Sequence, residues 1–155
     1  MSLKKVVIQQ YRENVNRAKQ KVEGLRVPSE GWLRTTRKAL GMSGAQLGRR
    51  LGVTRGSISN TEKAELNGGV TLKAMQQMAE GLGCRFVYAV VPEKNIEDVI
   101  YRRALKKARE QIEEASVHMA LEEQVLSSSM LDIEVRRLAD EMFNEASAEL
   151  WNDDE

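Results

Sequence analysis

The sequence predicts a mostly α-helical chain, on three observations. Two prolines in 155 residues leave long runs without a helix breaker. Apolar residues recur at steps of three and four through most of those runs. A single segment, "CRFVYAVVP" from Cys84 to Pro92, is instead β-branched and aromatic, alternates weakly and is closed by proline, which predicts one strand over about 85–91.

Residues 3–25 open the chain as a long helix, with Ile8, Tyr11, Val15, Ala18, Val22 and Leu25 on one stripe. About three heptads are barely enough for a free coiled coil, so the stripe is expected to pack on the rest of the fold. "GLRVPSEG" (Gly24 to Gly31) breaks this helix and offers Ser29 as the next cap. Four short helical patterns follow. "GWLRTTRKAL" puts Leu33 and Leu40 on one face and stops at Gly41. "SGAQLGRRLG" starts at Ser43 as N-cap, buries Leu47 and Leu51, and stops at Gly52. "TRGSISNTEKAEL" starts at Thr54 and buries Ile58; "TLKAMQQMAEGLG" starts at Thr71 and turns Leu72, Met75, Met78, Ala79 and Leu82 inward.

A lone strand cannot satisfy its own hydrogen bonds, so Phe86, Val87, Tyr88, Ala89 and Val90 are expected to pair with their copies in a second subunit. Beyond it, Ile96, Ile100, Ala104, Ala108, Ile112, Ala115 and Met119 mark a long helix running to about Leu126. "LSSS" interrupts, with Ser129 and Asp132 as a capping pair, and a last helix carries Leu131, Val135, Leu138, Met142, Ala146 and Leu150. The expected organisation is an N-terminal helix (1–27), a compact helical domain (28–83), a pairing strand (84–92) and a helical extension (93–155).

Composition narrows the function. No apolar run approaches the ~20 residues of a membrane span and no signal peptide opens the chain, so a soluble cytoplasmic protein is expected. One cysteine, Cys84, and one histidine, His118, argue against a disulfide framework, a structural metal site or a bound cofactor. No nucleophile–base pair is visible, which makes an enzyme the weakest class. The net charge of +1 conceals a net of +13 over residues 1–109 and −12 over 110–155. A basic front suits a polyanion and an acidic end repels one; alternatively the two neutralise each other within a dimer.

The stretch "GVTRGSISNTE" (Gly52 to Glu62) is the most informative. Ser, Thr and Asn are poor interior helix residues, because their side chains compete for backbone hydrogen bonds. Gly52-Val53-Thr54 has helix-turn-helix spacing, with a buried Val53 expected to lock the two helices at a steep angle. With Ile58 inward, Arg55, Gly56, Ser59 and Asn60 project outward, flanked by Ser57 and Lys63. Small side chains let such a helix enter a major groove only ~12 Å wide. Arg55 can contact guanine, Asn60 adenine, and the serines a base or a phosphate. Gln46, Arg49 and Thr54 complete the candidate double-stranded-DNA surface. Seven basic residues and one glutamate lie between 31 and 63, as a phosphate-gripping surface requires.

"MSGAQLGRRLGVTRGSISNTE" resembles the helix-turn-helix of the XRE (Cro/phage repressor-like) family, over residues 31–83. That likeness implies a helix-turn-helix domain of four to five short helices; as a homodimer paired antiparallel through the 85–91 strand, two copies would set both reading helices on one side of DNA, over an inverted-repeat operator. "GWLRTTRKALGMS", "FVYAVVP" and "HMALEEQ" (His118 to Gln124) further resemble the mobile mystery protein A family. Its members are encoded beside a Fic-domain protein, an AMP-transferring fold used as a toxin, which implies an antitoxin and repressor. Gly44 stands where XRE proteins often place a phosphate-gripping Gln, and Thr61 where a bulky apolar residue is common.

Other constellations carry less. His118 and Glu122, one turn apart, read as a structural pair with no third ligand nearby. The Ser/Thr-x-x-x-Glu-Gly/Asn device by which some antitoxins block a Fic nucleotide site is absent: Glu80-Gly81 has Gln76 at the first position, and Thr61 to Glu65 continues with Leu66. The competing reading is a protein-binding toxin inhibitor whose helix-turn-helix is mainly a scaffold.

Overall fold

The structure, a computed structural model, describes residues 3–121, 127–145 and 148–153. All regular structure among them is helical: α1 (Leu3–Val22), α2 (Trp32–Ala39), α3 (Gly44–Leu51), α4 (Arg55–Asn67), α5 (Leu72–Gly81), α6 (Ile96–Leu121), α7 (Ser128–Glu145) and a 3-10 turn, Ala148–Trp151. The chain divides into two compact units, one of residues 24–89 and one that joins 1–23 to 90–155.

The unit of residues 24–89 closes around Leu33, Leu47, Ile58, Met75, Met78 and Leu82, with Met42, Leu51, Val70 and Phe86 packed at its edge. Leu47 and Ile58 are its most completely buried large side chains, each stabilising the fold by about 1.5–3 kcal/mol. Local chemistry sets the helix starts. Ser43 Oγ accepts from the Gln46 N–H (3.1 Å) while Gln46 Oε1 accepts from the Ser43 N–H (2.8 Å), a full capping box. Thr54 Oγ1 accepts from the Ser57 N–H and Thr71 Oγ1 from the Ala74 N–H, both at 3.0 Å. The helix α3 ends in the left-handed conformation of Gly52 (φ 69°).

Several expectations fail here, for tertiary reasons. The predicted strand over 85–91 does not form: no described residue is in a strand, and none offers these residues a ladder. Phe86 instead packs on the domain's own core and stacks with Tyr88, ring centroids 5.7 Å apart. Leu40 and Leu72 sit at helix ends and point to solvent. Ser29 caps nothing; the start of α2 is Gly31 (φ 81°), and the Glu65 carboxylate reaches from α4 to accept the Trp32 N–H (2.6 Å) and Leu33 N–H (2.9 Å). A carboxylate there answers both the orphan donors and the helix dipole. A Cβ on Gly31 would stand 2.9 Å from that carboxylate.

The second unit is built on the α6/α7 hairpin. Ala104, Ala108 and Ala139 have no exposed surface, and with Val135 and Leu150 they form its core. Three alanines at a crossing let helices approach to the short end of the usual ~8–10 Å range. Tyr101 Oη donates to Asp140 Oδ1 (3.0 Å) and stacks edge-on against Phe143, so the end of α7 lies beside the start of α6. Asn16 of α1 caps α6: its Oδ1 accepts from the Ile96 N–H (2.8 Å) and its Nδ2 donates to Glu97 (2.9 Å). The α1 stripe is only half-buried, with Tyr11 exposed and Leu25 beyond the helix end. Ala115 of α6 is also exposed. Ser127, not Ser129, caps α7, accepting from the Met130 N–H at 3.3 Å. Leu150 belongs to the 3-10 turn rather than to α7. The expected end of α6 near Leu126, together with Glu122 and Ala146, lies outside the described residues.

Candidate nucleic-acid interface

Three residues connect α3 to α4, and the backbone rather than a side chain sets their angle. The Val53 N–H donates to the Gly48 carbonyl at 2.8 Å. A Cβ on Gly48 would lie 2.7 Å from the Val53 carbonyl oxygen and 3.3 Å from the Thr54 carbonyl carbon. Only glycine allows the turn to fold back this closely on α3. Val53 itself is 43% exposed, so the expected buried lock is corrected: the close approach at Gly48 fixes the turn. An interior glycine in a helix that gains nothing locally was the available sequence signal.

The face of α4 is arranged as its periodicity requires. Ile58 is buried, and Arg55, Gly56, Ser57, Ser59, Asn60 and Lys63 are exposed. Thr61, half-buried, donates its hydroxyl to the Ser57 carbonyl (2.9 Å), which satisfies a polar group where a bulky apolar one is common. Thr54 and Gln46 are exposed, but each gives its side-chain oxygen to a helix cap, so phosphate contact through them is left to the Thr54 hydroxyl hydrogen and the Gln46 NH2. A groove of about 340 Å3 runs where α2, α3 and α4 meet, with Arg34, Ser43, Arg55, Ser59 and Lys63 on its walls.

The seven basic residues do not all serve that surface. Arg37 is neutralised internally: its Nη2 donates to Glu62 Oε1 (2.7 Å), its Nε to the same carboxylate, and its Nη1 to the Met42 carbonyl (2.9 Å). The pair is nearly enclosed, 14% and 8% exposed. Arg34 and Lys38 share Glu30, and the hydrogen bond from Lys38 (2.9 Å) holds the Glu30 carboxyl below its ordinary range. Arg50 Nε donates to the Gly81 carbonyl (2.8 Å). Among the described residues, Arg49, Arg55 and Lys63 are left exposed without an ion-pair partner. Glu62 and Glu65, which look from the sequence like acids on a basic surface, are turned inward as structural anchors.

Residues 33–88 match the family model described as helix-turn-helix. This segment is an XRE-type helix-turn-helix domain. The match covers α2 to α5 and points to a DNA-binding regulator. No curated protein and no solved structure matches the chain. Outside the helix-turn-helix domain the chemistry is sparse. No described helix is long and apolar enough to cross a membrane. Among the described residues no group of three or more His, Cys, Asp or Glu is placed to hold a metal ion, and His118 is exposed on α6.

Proposed function

We propose that the protein is a sequence-specific transcriptional repressor that reads an inverted-repeat operator as a homodimer, with α4 in the major groove. The observation that carries this reading is the composition of the exposed α4 face. It holds two cations without partners, Arg55 and Lys63, an amide at Asn60, and otherwise only Gly and Ser between them and the groove floor. The helix starts at Thr54, so its first-turn N–H groups and dipole add an attraction for phosphate. Arg55, Gly56, Ser59 and Asn60 address bases, and Gln46, Arg49, Thr54, Ser57 and Lys63 the backbone.

The resemblance to mobile mystery protein A supports a second step: the protein is the antitoxin of a pair, it captures a Fic-domain toxin, and it acts in the cytoplasm at the nucleoid. Two measurements on the full chain test both parts. A mobility shift compares the DNA upstream of its own gene with unrelated duplex at several salt concentrations, and co-purification asks whether the adjacent gene's product is retained. Preferential, salt-sensitive binding to the upstream DNA is expected, with retention of the neighbour. Equal affinity for both duplexes overturns the repressor, and a neighbour that is not retained overturns the antitoxin.

A further inference from the structure

The groove where α2, α3 and α4 meet holds one carboxylate that the interior does not use. Its charged lining residues are Arg34, Arg37, Arg55 and Lys63 against Glu30 and Glu62. Glu62 is enclosed with Arg37, and Glu65, outside the groove, accepts from the first N–H groups of α2. Glu30 precedes Gly31, the cap of α2, and its side chain is 45% exposed. Lys38 Nζ donates to Glu30 Oε1 at 2.9 Å, and Arg34 Nε lies 3.9 Å from the same oxygen. Arg34 and Lys38 are four apart on α2, so they stand on one face and share the carboxylate.

The two charge systems of α2 are held with different firmness. Arg37 and Glu62 are nearly enclosed, so separating them would strand a charge in the interior. Arg34 and Lys38 are each 48% exposed, and pairs at that exposure gain little over solvation and are weakened further by salt. These two cations can therefore change partner at little cost. A DNA phosphate is the stronger partner, because it offers charge-assisted bonds and releases the counterions condensed on the duplex. Glu30 does not step aside by taking a proton at neutral pH: the hydrogen bond from Lys38 holds its carboxyl below the ordinary range.

We propose that Glu30 is an internal stand-in for a DNA phosphate. In the free protein it holds Lys38 and Arg34 beside the groove, and the backbone of a duplex seated on α4 takes both cations from it. The pairs must break before the phosphate contacts form, and the freed carboxylate then faces the phosphate that displaced it. Glu30 thus lowers affinity for every duplex, whatever its sequence. The inference rests on the DNA-binding reading above, and adds to it a phosphate contact on α2 and a residue that restrains it.

The test uses the full chain, an unrelated duplex and the DNA upstream of its own gene, each titrated at several salt concentrations. Arg34→Ala and Lys38→Ala should each weaken binding to both duplexes and reduce the slope of log affinity against log salt by about 0.9. Glu30→Gln should tighten binding to both by roughly two- to fivefold. Added to Arg34→Ala with Lys38→Ala, the same substitution should bring a smaller gain, because no pair is left to break. All three positions are exposed, so the circular dichroism and melting temperature of each variant should stay close to the parent's. A parent that binds neither duplex overturns the DNA-binding reading and this inference with it. With a parent that binds, unchanged slopes in both alanine variants overturn this inference alone, as does a Glu30→Gln affinity equal to or below the parent's. A gain undiminished in the triple variant shows a long-range effect of charge and overturns the stand-in.

Discussion

Arg37 of α2 grips Glu62 of α4 in a nearly buried forked ion pair, Nη2 to Oε1 at 2.7 Å and Nε to Oε1 at 3.1 Å, and this pair ties the first helix of the domain to the one that faces outward. Removing one partner strands the other charge in the interior. Glu62→Ala is therefore expected to destabilise the domain by about 3–5 kcal/mol in urea denaturation, whereas Arg37→Met with Glu62→Leu should cost much less. Equal losses for the single and double variants would show that the pair is not a closed charge system.

The two glycines of the helix-turn-helix separate fold from recognition. At Gly48 a methyl group would meet the Val53 carbonyl oxygen at 2.7 Å, so Gly48→Ala should lower stability by about 1–3 kcal/mol and weaken operator binding with it. At Gly56 the nearest atom is Thr54 Oγ1 at 3.8 Å. Gly56→Ala should hold or raise the melting temperature, by up to about 1 kcal/mol of helix propensity, yet lose operator affinity. Unchanged affinity for Gly56→Ala would place the first turn of α4 away from the bases.

Arg55 and Lys63 are both exposed and unpaired, but differ in expected role. Arg55→Ala should relax specificity at one base pair, at a cost of about 1–3 kcal/mol. Lys63→Ala should weaken all duplexes alike and flatten the dependence on salt by about one unit of slope. Footprinting over single-base operator variants distinguishes them; a uniform loss for Arg55→Ala removes it from base contact.

Alkaline titration reports on the α6/α7 hairpin. The hydrogen bond to Asp140, then burial, raises the Tyr101 hydroxyl above its ordinary range. The bond favours the neutral phenol, so its stabilisation is present below the unfolded value near 10 and is lost as pH climbs through the higher folded value. Asp140→Ala should move the Tyr101 step down in ultraviolet difference titration, and the stability gap to the parent should narrow above about pH 10. A step that does not move would break the link between the two helices.

Local chemistry was the legible part of this chain. Ser43, Thr54 and Thr71 each bond to a backbone N–H three residues on, and Gly52 ends its own helix, so no distant residue is needed to foresee them. The buried positions Leu47, Ile58, Met75 and Ala104 follow from helical periodicity inside long stripes. At helix ends the same periodicity misplaced Leu40 and Leu72, and helix-turn-helix spacing misplaced Val53 in the turn, because whether such a position is covered depends on elements far along the chain. The Arg37–Glu62 pair spans 25 residues and the Glu65 cap spans 32 and 33, beyond any local pattern. Composition at 85–91 spoke for a strand, but composition cannot supply the neighbour a strand requires. On α4 the outward residues were legible as a face, because helical periodicity around the buried Ile58 sets which side chains reach solvent.

The capping of α6 by Asn16 has a consequence during synthesis. The two residues that meet, Asn16 and Ile96, are 80 positions apart, with residues 24–89 folding as a unit between them. At ribosomal rates of about 5–20 residues per second, α1 emerges and then waits some 4–16 s before its partner helix exists. Throughout that interval the apolar stripe of Ile8, Val15 and Val22 has no native surface to cover it, and by its end, once Phe86 has been made, the helix-turn-helix domain has every residue of its core. The nascent chain is thus equipped to read DNA before the unit holding its own first helix can close, and it is the exposed amino-terminal helix that a chaperone would meet first.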